Sequence, residues 1–443
     1  MKQLGIVGQS VRRRDGIGHV TGQTQFVDDV TYPNMLWLRM VRSPAARGLI
    51  RRIDTSRAEA YPGVATVVTW KDVPNNWYTI LCLIGVEPND EPVLAQEEVM
   101  WQGEPIAAVV AETETIAREA AALVRVDIEP LPAVRDVFEA LAPGAPIIKK
   151  WGTNTFMYEG MPMRRVRFGD VDKAFAEADH IIEGSYQVTP YEHAPLETQA
   201  CVVKPEPDGR LTIHSNTQAL YFTMDNTAII LKVPSHRLHM IGGTVGGGFG
   251  GKVDVVTEPV TAIAAMKTGR PVKWRWTRAE EFQASSTSGG WRMEYTDGVK
   301  NDGRIIARKV RALHDAGAYH RHSPYGVTKH SANLQGPYYI PNVWVDAYCV
   351  YTNRQPASAL RGFGVTPASF AAEVQMDRIA NTVGLDPWAI RFINAYRNGQ
   401  TKAIRKKVED ATLIETLQAA AKLVNHPLPE KFLAMHSNDW KEA

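Results

Sequence analysis

Five glycines occupy six consecutive positions within residues 246–252 (GGGFGGK), and this run constrains the fold of the chain more than any other feature. Without Cβ atoms, successive backbone N–H groups can approach an oxyanion or a metal–oxo ligand closely. Each glycine also loses much conformational entropy when it is ordered, which argues against a turn that serves packing alone. The loop is therefore predicted to form a backbone cradle for a bound cofactor.

Two phosphate-binding motifs overlap this loop, and each fails at one position. A P-loop needs Ser or Thr after its lysine to hold magnesium, but Val253 follows Lys252. A dinucleotide-binding GxGxxG loop needs an acidic residue about twenty positions further on, where this chain has Met266. A nucleotide-binding module stays open as an alternative with an incomplete motif.

Composition excludes several classes of protein. The chain has 443 residues, and its formal net charge of +2 provides no field that would attract nucleic acid or an anionic membrane. The N-terminus lacks the apolar run of a signal peptide, and no stretch approaches the ~20 apolar residues of a membrane span, so a cytoplasmic location is expected. Cys82, Cys201 and Cys349 are far apart without a CxxC pair, so an iron–sulfur cluster is expected on another chain.

The periodicity of apolar residues predicts an α+β fold with a boundary near residues 145–165. A small unit, 1–150, contains a buried strand at 104–112 and a helix at 115–124. The larger unit, 151–443, is rich in strands. Its predicted helices are 171–178, 259–268, 367–383 and 387–396, and its predicted strands are 181–188, 211–214, 272–276, 304–314 and 343–351.

A second motif, residues 359–367 (ALRGFGVTP), follows the glycine loop further along the chain. GGGFGGK and RGFG in this order resemble the molybdenum-binding large subunit of the xanthine dehydrogenase and aldehyde oxidase family, the molybdenum hydroxylases. The resemblance includes Asn216-Thr217-Gln218 and the N-terminal Arg14-Asp15. It implies a small N-terminal domain of the α/β-hammerhead type followed by the first molybdopterin-binding domain.

The resemblance also implies roles for single residues. Gln218 would hydrogen-bond the apical oxo ligand of molybdenum, and the backbone of Arg361 would lie against the pterin and the metal ligands. The cofactor would also contact the loop residues Gly248, Phe249, Gly250 and Gly251. Phe363 would pack on a planar substrate, and His320 and Arg321 are further candidates for the substrate pocket.

The activity implied is a hydroxylase that inserts water-derived oxygen into an electron-poor carbon of an N-heteroaromatic compound (nicotinate- or purine-like) or an aldehyde. Its cofactor would be molybdenum–molybdopterin in the cytosine dinucleotide form. Partners would be a second molybdopterin-domain subunit carrying the catalytic glutamate, a 2Fe-2S subunit and an FAD subunit, since some bacterial members such as nicotinate dehydrogenase divide the large subunit between two polypeptides. A non-catalytic assembly subunit is the alternative, because that glutamate would not be in this chain.

Two departures from the family pattern narrow the substrate. Purine-hydroxylating relatives carry a glutamate where this chain has Val253, which disfavours a purine held by that carboxylate. Relatives that oxidise carbon monoxide carry a cysteine in the loop that here reads Arg361-Gly362-Phe363, which disfavours that reaction. Glu192, His193 and Glu197 could suggest a metal site, but a structural role is favoured and no metal ligand is assigned.

Overall fold

The computed structural model describes residues 5–439, which form helices and strands in mixed order. The helices are α1 (Gly16–Thr21), α2 (Ser56–Glu59), α3 (Glu114–Ala121), α4 (Val137–Leu141), α5 (Val171–Ala176), α6 (Leu220–Leu231), α7 (Glu258–Thr268), α8 (Arg278–Ala284), α9 (Ser323–Asn333), α10 (Val365–Val383), α11 (Pro387–Asn394), α12 (Leu413–Leu423) and α13 (Glu430–Leu433). The strands are β1 (Leu36–Arg42), β2 (Gly48–Asp54), β3 (Val64–Thr69), β4 (Trp77–Tyr78), β5 (Glu91–Pro92), β6 (Glu98–Val99), β7 (Pro105–Ala111), β8 (Arg125–Pro130), β9 (Arg164–Phe168), β10 (His180–Val188), β11 (Ala200–Pro205), β12 (Leu211–Ser215), β13 (Leu238–Gly242), β14 (Val272–Arg275), β15 (Trp291–Val299), β16 (Ile305–Gly317) and β17 (Val343–Tyr351).

A seven-stranded sheet with the order β13-β12-β11-β14-β1-β7-β3 runs through the molecule. Its first four strands follow residue 199 and its last three precede residue 112, so the sheet crosses the predicted boundary near 145–165. The junction is the parallel pairing of β1 with β14, in which Leu36 opposes Val272. The division into 1–150 and 151–443 stays a prediction, and the shared sheet joins the two parts into one packed body.

A second, five-stranded sheet has the order β10-β15-β16-β17-β9. Its long central strands are buried, and helices α9 and α10 pack against it. A buried ion pair, Arg308 with Asp297 at 2.7 Å, links the neighbouring strands β15 and β16. This sheet supports the two helices that border the candidate site.

Most of the predicted elements are present. The strand predicted at 104–112 is β7, which is buried along nearly its whole length. The helix predicted at 171–178 is α5, which ends two residues earlier and is capped as expected by Asp170, whose side chain accepts from the Lys173 N–H at 3.1 Å. The predicted start of helix 367–383 was wrong by two residues. Helix α10 begins at Val365 because Gly364, at φ +76°, reverses the chain immediately before it.

Three loops meet at one side of the large sheet. Residues 216–219 connect β12 to α6, residues 243–257 connect β13 to α7, and residues 352–364 connect β17 to α10. The glycine run lies in the second loop and RGFG in the third, so the fold brings the two sequence motifs together. Among the helices of residues 5–439, none has the length and apolar character to cross a membrane.

Candidate cofactor site

Gln218 holds the glycine loop in place through both its backbone and its side chain. Its Oε1 accepts from the backbone N–H groups of Gly250 (3.0 Å) and Lys252 (3.2 Å), and its own N–H donates to the Lys252 carbonyl at 2.8 Å. Two N–H donors on the oxygen fix the orientation of the amide, so the Nε2 group points away from the loop. Gln218 is exposed, and its Nε2 finds no acceptor within residues 5–439. It is a pre-positioned donor at the surface.

The glycines are needed because the loop packs against its neighbours without room for a Cβ. A Cβ on Gly248 would collide with the side chain of Gln218. One on Gly250 would lie 2.6 Å from the Ala359 carbonyl oxygen, and one on Gly251 would lie 2.9 Å from the His193 ring. The glycine run is therefore pressed between Gln218, His193 and the segment that precedes RGFG.

Phe249 joins the glycine loop to the second motif. Its φ of +52° is in the left-handed region, which costs a non-glycine residue about 1–2 kcal/mol. Its carbonyl accepts from the backbone N–H of Arg361 at 2.8 Å, and its ring is 47% exposed. The strained conformation turns the carbonyl toward RGFG and leaves the ring at the surface.

The RGFG turn presents a cation and a ring beside this junction. Arg361 is exposed, and in the described part of the chain no carboxylate lies within 4.0 Å of its guanidinium. The Phe363 ring meets His322 edge-on, with ring centroids 6.4 Å apart, and lies 5.8 Å from the Tyr325 ring. It rests on α9 at Gly326, where a Cβ would come within 3.0 Å of the ring.

Lys252, the lysine of the incomplete P-loop motif, points into the protein. Its side chain is 1% exposed, and its Nζ donates to Glu197 Oε2 at 2.7 Å. The same oxygen accepts from the Gly246 N–H at 2.8 Å. Burial lowers the pKa of Lys252, and the pairing with Glu197 opposes that change. A buried and paired lysine cannot reach a phosphate, which counts against the nucleotide-binding alternative.

Glu192 and His193 are engaged in the same packing. The imidazole Nε2 of His193 donates to the Ala359 carbonyl at 2.7 Å, and Glu192 accepts from Ser285 Oγ at 2.9 Å. The structural role favoured from the sequence stays a prediction. Across residues 5–439, no three His, Cys, Asp or Glu side chains are grouped so that they could hold a metal ion.

His320 and Arg321 are not at the surface shared by Gln218, Phe249 and Arg361. The His320 ring is fully buried and hydrogen-bonds Thr79 at 2.7 Å. The Arg321 guanidinium pairs with Glu91 at 2.7 Å and with Asp254 at 3.1 Å. Their substrate contact stays a prediction. In the structure these two residues join residues 79–91 to the loop that follows GGGFGGK, through Thr79, Glu91 and Asp254.

Three residues that the sequence did not single out, Asp254, His322 and Ser358, connect the loop after GGGFGGK to α9 and to the loop before RGFG. Asp254 accepts from Ser358 Oγ at 2.6 Å and from the His322 ring at 3.1 Å, in addition to Arg321. Burial alone would raise the pKa of Asp254, but hydrogen bonds and the charges of His322 and Arg321 lower it to about 2. An acid two residues after a glycine loop was the one available signal, whereas nothing in the sequence pointed to His322 or Ser358.

The site fits a molybdenum–pterin group on these observations. An exposed amide donor and an exposed guanidinium, held together by the glycine loop and RGFG, suit an oxo-rich, anionic ligand. Residues 153–395 match the molybdopterin cofactor-binding domain, and residues 21–132 match the a/b hammerhead domain of aldehyde oxidase and xanthine dehydrogenase. These matches confirm the predicted order of a hammerhead-type domain followed by a molybdopterin-binding domain.

Known proteins resemble the chain along nearly its full length. It is 32% identical to the nicotinate dehydrogenase large molybdopterin subunit of Eubacterium barkeri, over 95% of this chain and 96% of that protein. It is 32% identical to the xanthine dehydrogenase/oxidase of Gallus gallus, over 98% of this chain and 31% of that protein. The structure of the aldehyde oxidoreductase from Desulfovibrio gigas superposes with a TM-score of 0.89 and 31% identity, covering 93% of this chain and 46% of that one.

The fold and the matched domains define a molybdopterin-binding component of an oxidoreductase. The chain belongs to the xanthine dehydrogenase and aldehyde oxidase family, as the two motifs predicted. It spans nearly all of the Eubacterium protein but about half the length, or less, of several other relatives that it matches.

Proposed function

We propose that this chain is the molybdenum-cofactor-binding subunit of a hydroxylase that inserts water-derived oxygen into an electron-poor carbon of an N-heteroaromatic compound or an aldehyde. The observation that carries the proposal is the Gln218 amide, whose oxygen is bonded to the glycine loop and whose nitrogen has no acceptor among residues 5–439. The similarity to nicotinate dehydrogenase and aldehyde oxidoreductase supports this substrate range.

In this proposal the chain binds and orients, and the cofactor performs the redox chemistry. When bound, the molybdenum centre takes electrons from the substrate carbon and delivers oxygen to it. Gln218 Nε2 would donate to the cofactor, and residues 248–251 would help to hold it. Arg361 would contact the pterin, and Phe363 would orient the planar substrate. A fixed donor needs no reorganisation during the reaction, which is the main advantage of a preorganised site.

We further propose that partner chains complete the enzyme. A second molybdopterin-domain subunit would supply the catalytic glutamate over the surface that Gln218 and Arg361 leave open. A 2Fe-2S subunit and an FAD subunit would receive the electrons, and the pterin would carry the cytosine dinucleotide form, in a cytoplasmic complex. The match with the large molybdopterin subunit of nicotinate dehydrogenase covers nearly all of both chains, which supports a molybdenum protein made of more than one subunit. The absence of a cysteine pair in the sequence supports a separate iron–sulfur chain.

Gln218→Glu tests the role of the amide, because a carboxylate keeps the acceptor for the two loop N–H groups but replaces the donor with a negative charge. The purified complex should keep its molybdenum content and its substrate affinity while kcat falls about 100-fold, as expected for the loss of one preorganised donor. Gln218→Ala should also lower kcat. Because it removes the acceptor for the Gly250 and Lys252 N–H groups, it should lower the molybdenum content as well. Gln187→Ala changes an exposed glutamine on β10 and is the matched control.

An unchanged kcat in Gln218→Glu would refute the role of the donor. Metal and pterin analysis of the wild-type complex tests the proposal as a whole. A complex that binds ATP or NAD and contains no molybdenum would favour the nucleotide-binding alternative. A stable, cofactor-free chain that helps another subunit to mature would favour an assembly role.

A further inference from the structure

A small, largely enclosed cavity lies where the two parts of the large sheet join. Its volume is about 20 Å³, which is room for one water-sized ligand. Arg42, at the end of β1, and Trp274, in β14, line it, and these two strands form the parallel pairing that crosses the predicted boundary. Trp101 also lines it, together with Val255 from the loop that follows GGGFGGK. A ligand in this cavity would therefore contact both parts of the chain.

Three of the side chains that line the cavity carry N–H donors for which residues 5–439 provide no acceptor. The donors are Arg42 Nε and Nη2, Trp101 Nε1 and Trp274 Nε1. Both indoles are 1% exposed, and the Arg42 side chain is 8% exposed, so these donors are shielded from bulk water. Guanidinium and indole nitrogens donate and cannot accept, so only an acceptor satisfies them. Four such donors around one cavity indicate a site for a ligand that accepts hydrogen bonds.

The positive charge of Arg42 is only weakly compensated by the protein. Its Nη1 donates to the Gly103 carbonyl at 3.2 Å, but the carboxylate of Glu280 stays 3.7 Å from Nη2, which is beyond hydrogen-bond distance. Burial lowers the pKa of Arg42 to about 10, and the charges of Glu280 and Glu281 only partly oppose that change. Arg42 is therefore still charged at neutral pH, and a buried cation without a close partner is costly.

The other charged side chains that line the cavity are already paired. Glu91 is the one carboxylate among the described lining residues, and both of its oxygens accept from Arg321, the shortest contact being 2.7 Å. Arg321 also donates to Asp254 at 3.1 Å. The charge that still needs a close counter-ion is thus that of Arg42.

We infer that this cavity binds a monatomic halide, with chloride as the physiological ligand, between Arg42, Trp101 and Trp274. A halide accepts from all four N–H donors and neutralises the guanidinium. A water molecule accepts at most two hydrogen bonds and needs acceptors for its own two hydrogens, so it would leave donors unsatisfied. Phosphate or sulfate is too large for a cavity of water size. The site is separate from the cofactor surface, and the inference holds whether or not the chain binds molybdenum.

Crystals of the full chain grown in sodium bromide test the inference directly. Bromide takes the place of chloride and is located by its anomalous scattering at the bromine absorption edge. The expected result is an anomalous peak inside the cavity, next to Arg42 and Trp274. Bromide peaks elsewhere on the molecule, with water alone in the cavity, would overturn the inference.

Urea unfolding of the full chain tests the site in solution. Chloride is exchanged for gluconate at constant ionic strength, so that screening is unchanged. Because a ligand of the native state stabilises it, the free energy of unfolding of the wild type should rise with chloride, and the dependence gives Kd. Trp274→Phe keeps a ring in place and removes one donor, so Kd should rise about tenfold. Trp101→Phe should do the same and serves as the second variant if Trp274→Phe does not fold.

Trp276→Phe is the matched control. Trp276 is 2% exposed and its Nε1 also lacks an acceptor among the described residues, but it does not line the cavity. The control should lose stability without a change in Kd for chloride. A wild type that does not respond to chloride would refute the site, and so would equal values of Kd in the wild type, the cavity variant and the control.

Discussion

Replacement of Gly250 by alanine should open the junction between the two motifs. Gly250 has a φ of +102°, which an L-residue rarely adopts, and its Cβ would lie 2.6 Å from the backbone oxygen of Ala359. Because that neighbour is backbone, it cannot move aside as a side-chain end would. The alanine must push residues 359–361 away from the loop, and the hydrogen bond from the Arg361 N–H to the Phe249 carbonyl is then strained or lost.

The expected loss in the free energy of unfolding of Gly250→Ala has two separate contributions. A left-handed conformation costs an alanine about 1–2 kcal/mol. Overpacking against a fixed neighbour adds about 1–3 kcal/mol. The sum is about 3 kcal/mol. Gly269→Ala is the matched control, because Gly269 also has a positive φ, +64°, but no atom lies within 4 Å of the position that its methyl group would take. The control should cost about 1 kcal/mol, from the left-handed conformation alone.

Two measurements on the same preparations check this prediction. Urea unfolding gives the difference in the free energy of unfolding between the two variants, and metal analysis gives molybdenum per chain in the purified complex. Gly250→Ala should be less stable than Gly269→Ala by about 2 kcal/mol, the overpacking contribution alone, and should lose most of its molybdenum. Equal stability and full molybdenum content in both variants would refute the view that close packing of the two motifs builds the site.

Three further changes test buried ionisable side chains. Burial raises the pKa of Glu104 to about 8, so its contribution to stability is complete below about pH 4.5 and is lost as the pH rises toward 8. Glu104→Gln should flatten this dependence in unfolding experiments between pH 5 and 8. Asp254 has its pKa lowered to about 2, so its stabilisation of about 2 kcal/mol is present above about pH 4 and is lost as the pH falls toward 2, and Asp254→Asn should reduce the loss of stability in that range. Lys252→Met should destabilise the chain by about 3 kcal/mol in urea unfolding because it leaves the Glu197 charge buried without its partner, and the double change with Glu197→Gln should recover part of that loss.

The elements that the sequence predicted well are those whose signals are local. Strand β7 is a run of small and branched apolar residues, and it is buried because the sheet and the helices cover both of its faces. Helix α7 begins with a proline in its first turn and ends at Gly269 in the left-handed conformation, as predicted. The start of α10 was wrong because the helix begins directly after Gly364, which has a positive φ and has no room for a Cβ beside the Gly326 carbonyl, a contact with a segment far along the chain. Tertiary contact overrode a local rule there.

The candidate site was only partly predictable because its supports come from distant segments. Glu197 reaches Lys252 across 55 positions, and Ser358 reaches Asp254 across 104. Neither pair forms a sequence pattern that periodicity or spacing could reveal. The parallel pairing of β1 with β14 joins segments still further apart, so a sheet across the predicted boundary could not be read from the residues either.

The two motifs that suggested the family form one structural unit. A Cβ on Gly250 would collide with the Ala359 carbonyl, the Phe249 carbonyl accepts from the Arg361 N–H, and His193 donates to the same Ala359 oxygen. A change in either motif must therefore alter the other. For this reason the two motifs together indicate the family, whereas either motif alone does not. It also explains why the P-loop and dinucleotide interpretations fail in three dimensions. The N–H groups of Gly250 and Lys252 are already bonded to Gln218, so in the proposed site the ligand would meet a glutamine amide together with the RGFG turn.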